Sequence, residues 1–158
     1  MRHRAFVGSR LALMLGLVAT MTASPASALF IVNQPWVRPA PVAQSTEAYM
    51  DLTSTEGAKL VGVRTDAAKA ATIRAPGTTA VTATGVTLPP KTLVSLAPGQ
   101  YRVALNQLLR TLKLGDRVNL TLTIELDDGS RQEIAVNAEV RQRSPIDDER
   151  RAHTHPPH

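Results

Sequence analysis

Residues 117–126 alternate without a break: Val118, Leu120, Leu122, Ile124 and Leu126 take one phase, and Arg117, Asn119, Thr121, Thr123 and Glu125 take the other. A period of two places the first set on one face of a pleated strand and the second on the opposite face, so one side is buried and one is wet. Asp127-Asp128-Gly129-Ser130 supplies a turn, after which Ile134, Val136, Ala138 and Val140 resume the alternation through 131–140. The two runs read as a β-hairpin.

The rest of the region from Ile31 to Val140 follows the same grammar of short β-branched runs cut by Pro, Gly and Asp, the pattern of an all-β sandwich or barrel. Further strands are expected at 30–38, 46–53, 59–65, 70–74, 78–84, 91–96 and 101–105, punctuated by Pro39, Pro41, Gly57, Pro76, Pro89, Pro90 and Pro98. Residues 105–114, with Leu108, Leu109, Leu112 and Leu114 at mixed spacing, fit a helical turn or a packed loop equally well. Beyond Val140 the chain turns to Arg, Asp, Glu, Pro and His. It has almost nothing apolar to offset the entropy of ordering its backbone, so 144–158 is expected to be a disordered tail.

At the other end, Arg2, Arg4 and Arg10, an apolar run over 11–21 and Ala26-Ser27-Ala28 spell a secretory signal, with cleavage expected after Ala28 and a periplasmic destination. The apolar run falls short of the roughly 20 residues that span a bilayer, and no other segment proposes a membrane span in the mature chain. Removing 1–28 leaves one domain over 29–143 followed by the tail, and 15 Lys and Arg against 13 Asp and Glu. A net charge of plus two carries no basic patch for nucleic acid, which is excluded as a partner. The sequence has no cysteine, which removes disulfides, thiolate zinc sites and iron–sulfur clusters together.

Several segments in order, Gln34-Pro35-Trp36-Val37-Arg38-Pro39, Ala48-Tyr49-Met50-Asp51-Leu52-Thr53, Lys59-Leu60-Val61-Gly62-Val63, Leu96-Ala97-Pro98-Gly99, Leu112-Lys113-Leu114-Gly115-Asp116 and Leu120-Thr121-Leu122, resemble the periplasmic copper chaperones called PCu(A)C. The resemblance implies a cupredoxin-like antiparallel β-sandwich that carries copper(I) at its surface and serves a protein partner in oxidase assembly. It also implies a ligand set: a histidine ending the strand after Leu-Val-Gly, a methionine soon after, and a His-x-Met pair following the Pro-Gly turn. On these flanks Arg74 stands at the first histidine, Arg102 and Ala104 stand at the paired histidine and methionine, and the stretch near Ala80 to Thr82 has no methionine. No alignment is needed for the broader statement that 51–152 contain no histidine, methionine or cysteine.

Copper(I) selects thioether and imidazole donors, whereas a guanidinium is always protonated and only donates hydrogen bonds. The body of the domain is therefore expected to hold no cofactor. If Arg74 and Arg102 are neighbours, as the resemblance implies, they form a small anion or carboxylate clamp; the plainer reading leaves each on a solvated strand edge without a partner. Met50, the one thioether after residue 28, shares its strand phase with Ala48 and Leu52 and is read as core, as are Trp36, Tyr49 and Tyr101.

With no histidine between the signal and the tail, nucleophilic catalysis lacks its base, and Lys59, Lys69, Lys91 and Lys113 stand in polar settings, so no enzyme is expected. Metal chemistry is left to His153, His155 and His158, beside Asp147, Asp148 and Glu149, a nitrogen and oxygen set suited to copper(II). The expected function is copper binding or handling through this tail on a copper-chaperone-like domain that has lost its copper(I) site. The alternative is a metal-free interaction domain that keeps only the scaffold.

Overall fold

The computed structural model describes residues 29–81 and 85–154. The secretory signal read at 1–28, His155 and His158 lie outside the described residues. The described chain forms strands β1 (Phe30–Val37), β2 (Thr46–Ser54), β3 (Ala58–Thr65), β4 (Ala68–Arg74), β5 (Val86–Leu88), β6 (Leu93–Leu96), β7 (Arg102–Leu108), β8 (Arg117–Glu125) and β9 (Arg131–Val140), then helix α1 (Pro145–Thr154).

β8 and β9 pair in continuous antiparallel register from Arg117↔Glu139 to Glu125↔Arg131, as the alternation requires. Val118, Leu120, Leu122 and Ile124 are buried, and the phase between them is not. At the hairpin tip Gly129 adopts φ 82°, while the Ser130 amide and hydroxyl donate to the Asp128 carboxylate at 2.9 and 2.6 Å. Those two bonds hold the Asp128 carboxyl below the usual carboxylate range and account for the acidic turn.

The strands follow one path, β4-β7-β2-β1-β9-β8-β3-β5, with β6 attached to β2. Midway the path narrows to a short parallel contact between β1 and β9, matched only at Trp36↔Glu139 and Val37↔Val140. On either side of it the pairings are antiparallel. The sheet curls over into a sandwich, and the chain crosses between its halves repeatedly, from β2 to β3, β3 to β4, β4 to β5, β5 to β6 and β7 to β8. Ala48, Met50, Leu52, Val103 and Leu105 from one half share a single core with Leu60, Leu120, Leu122 and Ile124 from the other.

β2 organises one half by changing partners along its edge. Thr46–Ala48 pair with β7, and Met50–Thr53 pair with β6. Glycine is demanded at Gly85, the entry to β5, where φ is +76° and a Cβ would lie 2.3 Å from the Leu60 carbonyl oxygen.

Three local readings need correction. No strand forms over the described part of 78–84; Val81 makes an isolated bridge to Arg74, and the turn before it is held by side chains rather than by a ladder. The unassigned stretch 105–114 divides between β7, which runs on to Leu108, and a loop pinned by the Ala40↔Leu112 bridge, with Leu108 and Leu112 buried. The disordered tail expected from residue 144 begins instead as α1, for local reasons that hydrophobicity does not register. The Ser144 hydroxyl accepts the Ile146 amide at 3.3 Å, Pro145 opens the first turn, Asp147 and Asp148 lie at the positive end of the helix, and Arg151 and His153 lie at the negative end. Arg141 at the end of β9 anchors the helix through Asp148 at 2.6 Å.

Candidate functional site

The register of β4, β7 and β2 assembles one polar patch on the outward face of their sheet. Along β7, Val103 and Leu105 point into the core, which leaves Arg102, Ala104 and Asn106 in the outward phase. Arg74 pairs with Arg102, Thr72 with Ala104, and Ala104 with Glu47 of β2 on the other side. The three positions singled out in the sequence, Arg74, Arg102 and Ala104, are thus immediate neighbours.

Like charges directly opposite on adjacent strands repel, so the pairing requires compensation. Arg102, whose side chain is 13% exposed, donates from Nε to Glu47 Oε1 at 2.8 Å, from Nη1 to the Ala75 and Gln100 carbonyls at 3.0 and 3.4 Å, and from Nη2 to the Thr78 carbonyl at 2.7 Å. Arg74 donates to the Thr79 carbonyl and, at 3.3 Å, to Asn106 Oδ1, and its Nε is buried without a hydrogen-bond partner among the described residues. Neither arginine rests on an unpartnered strand edge. Together they fasten the turn that follows β4, Arg102 through the Ala75 and Thr78 carbonyls and Arg74 through the Thr79 carbonyl.

Glu47 also accepts the Tyr49 hydroxyl. Burial, and then the bond to Glu47 and its negative charge, push the Tyr49 phenol well above the ordinary tyrosine range. The Tyr49 ring packs against Trp36 with centroids 4.7 Å apart, and the Arg38 guanidinium lies 5.4 Å over its centre. Trp36 and Met50 are buried, as read from the sequence. Arg38, Glu47, Arg74, Arg102, Ala104 and Asn106 all line an open cleft of about 430 Å³.

Sequence reasoning missed Arg38, Glu47 and Asn106. The available signal was phase: Glu47 and Tyr49 are two residues apart on a strand, as are Arg102, Ala104 and Asn106, but which strands adjoin was not legible. Of the tail residues, His153 is exposed on the last turn of α1. Among the described residues no group of three or more His, Cys, Asp or Glu is placed to hold a metal ion. Arg74 and Arg102 offer only protonated donors at their cleft, and Ala104 offers none.

The described chain is a curled, mainly antiparallel sandwich with a polar cleft on an outer sheet face. Residues 31–140 match the LpqE-like family ("Putative lipoprotein LpqE-like"), and the chain belongs to it. Among solved structures it is similar to the apo PCuAC domain from PmoF1, at 27% identity and a TM-score of 0.60 over 71% of this chain and 92% of that one. It is also similar to the solution structure of copper(I)-DR1885 from Deinococcus radiodurans, at 30% identity and a TM-score of 0.55 over 74% and 82% of the two chains. The copper-bound PCuAC domain from PmoF2 shares the fold at 22% identity and a TM-score of 0.57 over 71% and 92%. Comparison with curated proteins gives no match. The fold is thus of the PCuAC, cupredoxin-like type.

Proposed function

We propose that this chain is an exported, periplasmic binding protein of the PCuAC type and not an enzyme, that its sandwich has given up copper(I), and that its metal capacity rests with copper(II) at His153, His155 and His158. The observation that carries this reading is the Arg74–Arg102 pair. Two guanidiniums stand side by side where the resemblance calls for histidines, and their fixed positive charge opposes any cation brought to the cleft. The absence of histidine, methionine and cysteine from 51–152 leaves the neighbouring strands no soft donor to substitute. The lipoprotein-like family and the basic-then-apolar segment before Leu29 support export. By resemblance, a protein partner in oxidase assembly would receive the metal.

Titrating the untagged chain from Leu29 beside a version ending at Arg143 tests it, the second cut falling after β9 and before α1. Copper(II) is expected to bind the longer chain and not the shorter, and copper(I) to bind neither tightly. Equal copper(II) binding by both refutes the tail assignment. Stoichiometric copper(I) capture by the shorter chain refutes the loss of the sandwich site.

A further inference from the structure

The cleft beside Arg74 and Arg102 carries more positive charge than its own residues neutralise. Its lining holds three guanidiniums, Arg38, Arg74 and Arg102, against one carboxylate, Glu47, an excess of two. Glu47 is committed to Arg102 at 2.8 Å and to the Tyr49 hydroxyl, so it screens Arg74 and Arg38 poorly. Arg74 has its Nε unpartnered among the described residues and its bond to Asn106 stretched to 3.3 Å. That Nε is withdrawn from solvent, so an anion in the cleft meets it only when the Arg74 side chain turns outward, a turn favoured because a buried charged donor without an acceptor is costly. Ala104, between the Arg74 and Glu47 strands, lines the floor of the cleft with a side chain that carries no charge and no hydrogen-bonding group. Pro39 and Pro41 give the cleft wall apolar surface that supplies no backbone N–H.

We propose that this cleft is a binding site for a carboxylate on a short apolar stem, the anion lying against the Arg74 guanidinium under Arg38 and the stem against Pro39 and Pro41. Two coplanar oxygens match one guanidinium edge, and Arg38 adds a second positive charge on the solvent side. Arg102 is a positioning residue: its donors hold Glu47 and the turn carbonyls, and it leaves the anion to its neighbours. The site is independent of copper at the tail.

The test follows the side-chain Nε–Hε signal of Arg74 and the Ala104 amide by nitrogen-15 NMR while butyrate is added to the untagged, metal-free chain, with butyramide as a neutral isostere. Butyrate is expected to move both signals saturably and butyramide to move neither. Arg38→Gln, which leaves the turn ties of Arg74 and Arg102 in place, is expected to weaken butyrate about tenfold, the size of one charge-assisted contact. Arg74→Gln is expected to abolish binding. The source of the carboxylate is read from a short peptide with a free C-terminus beside its amide: tighter binding than butyrate by the free acid assigns a protein chain end, and equal or weaker binding assigns a small acid. Equal shifts with butyrate and butyramide, saturation by inorganic phosphate at lower concentration than butyrate, or an unchanged butyrate affinity in Arg38→Gln each overturn the proposal.

Discussion

Replacing Arg102 by alanine removes more than one ion pair. The side chain joins β7 to Glu47 of β2 and to the Ala75 and Thr78 carbonyls of the turn after β4 through acceptors at 2.7 to 3.0 Å. A hydrogen bond to a charged group is worth about 1.5–3 kcal/mol net, and breaking a fully buried pair costs about 3–5. The pair here is only partly withdrawn from water, with 13% of Arg102 and 34% of the Glu47 side chain exposed, so solvent takes back part of that cost. Alanine also leaves Glu47 beside the buried Tyr49 with its main counter-charge gone. The expected loss is about 2–3 kcal/mol, or a fall in Tm of about 10 °C for a domain of this size. Urea unfolding should show a lower midpoint at an unchanged slope. Hydrogen exchange should rise first in the turn after Arg74. Arg102→Lys should lie between, since a single ammonium cannot reach Glu47 and the carbonyls of Ala75, Thr78 and Gln100 at once. A loss below about 0.5 kcal/mol, the range of an ordinary surface change, would refute the view that Arg102 fastens β7 to the turn.

Gly85→Ala should cost more than about 1 kcal/mol, because its Cβ meets the Leu60 carbonyl at 2.3 Å. Gly77→Ala has a similar φ of +67° but nothing within 4 Å, so it should cost less; equal losses would show that the close approach contributes nothing. Tyr49 has its folded pKa raised above the unfolded value of about 10, so its contribution is fully present below that pH and is lost as pH climbs through the folded value. Its phenolate, identified by its disappearance in Tyr49→Phe, should therefore emerge only as native structure is lost; ionisation near pH 10 with the fold intact would contradict the burial argument. Glu133 is held below the usual carboxylate range by the Arg64 guanidinium, so that pair should stop contributing on the acid side, as a comparison of wild type and Glu133→Gln in acid unfolding would reveal. Arg74→His with Arg102→His and Ala104→Met should gain copper(I) affinity in competition with a cuprous chelator; no gain in a folded triple variant would refute the correspondence of positions.

The hairpin of β8 and β9 was legible because alternation, turn chemistry and burial are all properties of adjacent residues. The same holds for Met50 and Trp36, whose strand phase or size already marks them for the interior. The limits of local pattern show at α1, where a cap and an anchoring ion pair order a polar segment, and at Val81, where a strand-like composition finds no ladder to join. The chain by itself determined an all-β sandwich and a stretch, 51–152, without soft metal donors, since periodicity and elemental composition do not depend on what folds next to what. Only the tertiary structure decided that Arg74, Arg102, Glu47 and Arg38 share one cleft, that Arg102 is spent on Glu47 and the turn after β4, and that Arg74 keeps a donor unanswered among the described residues. Strand pairing joins residues far apart in sequence, and the charge balance of the cleft comes into being only when that pairing is made.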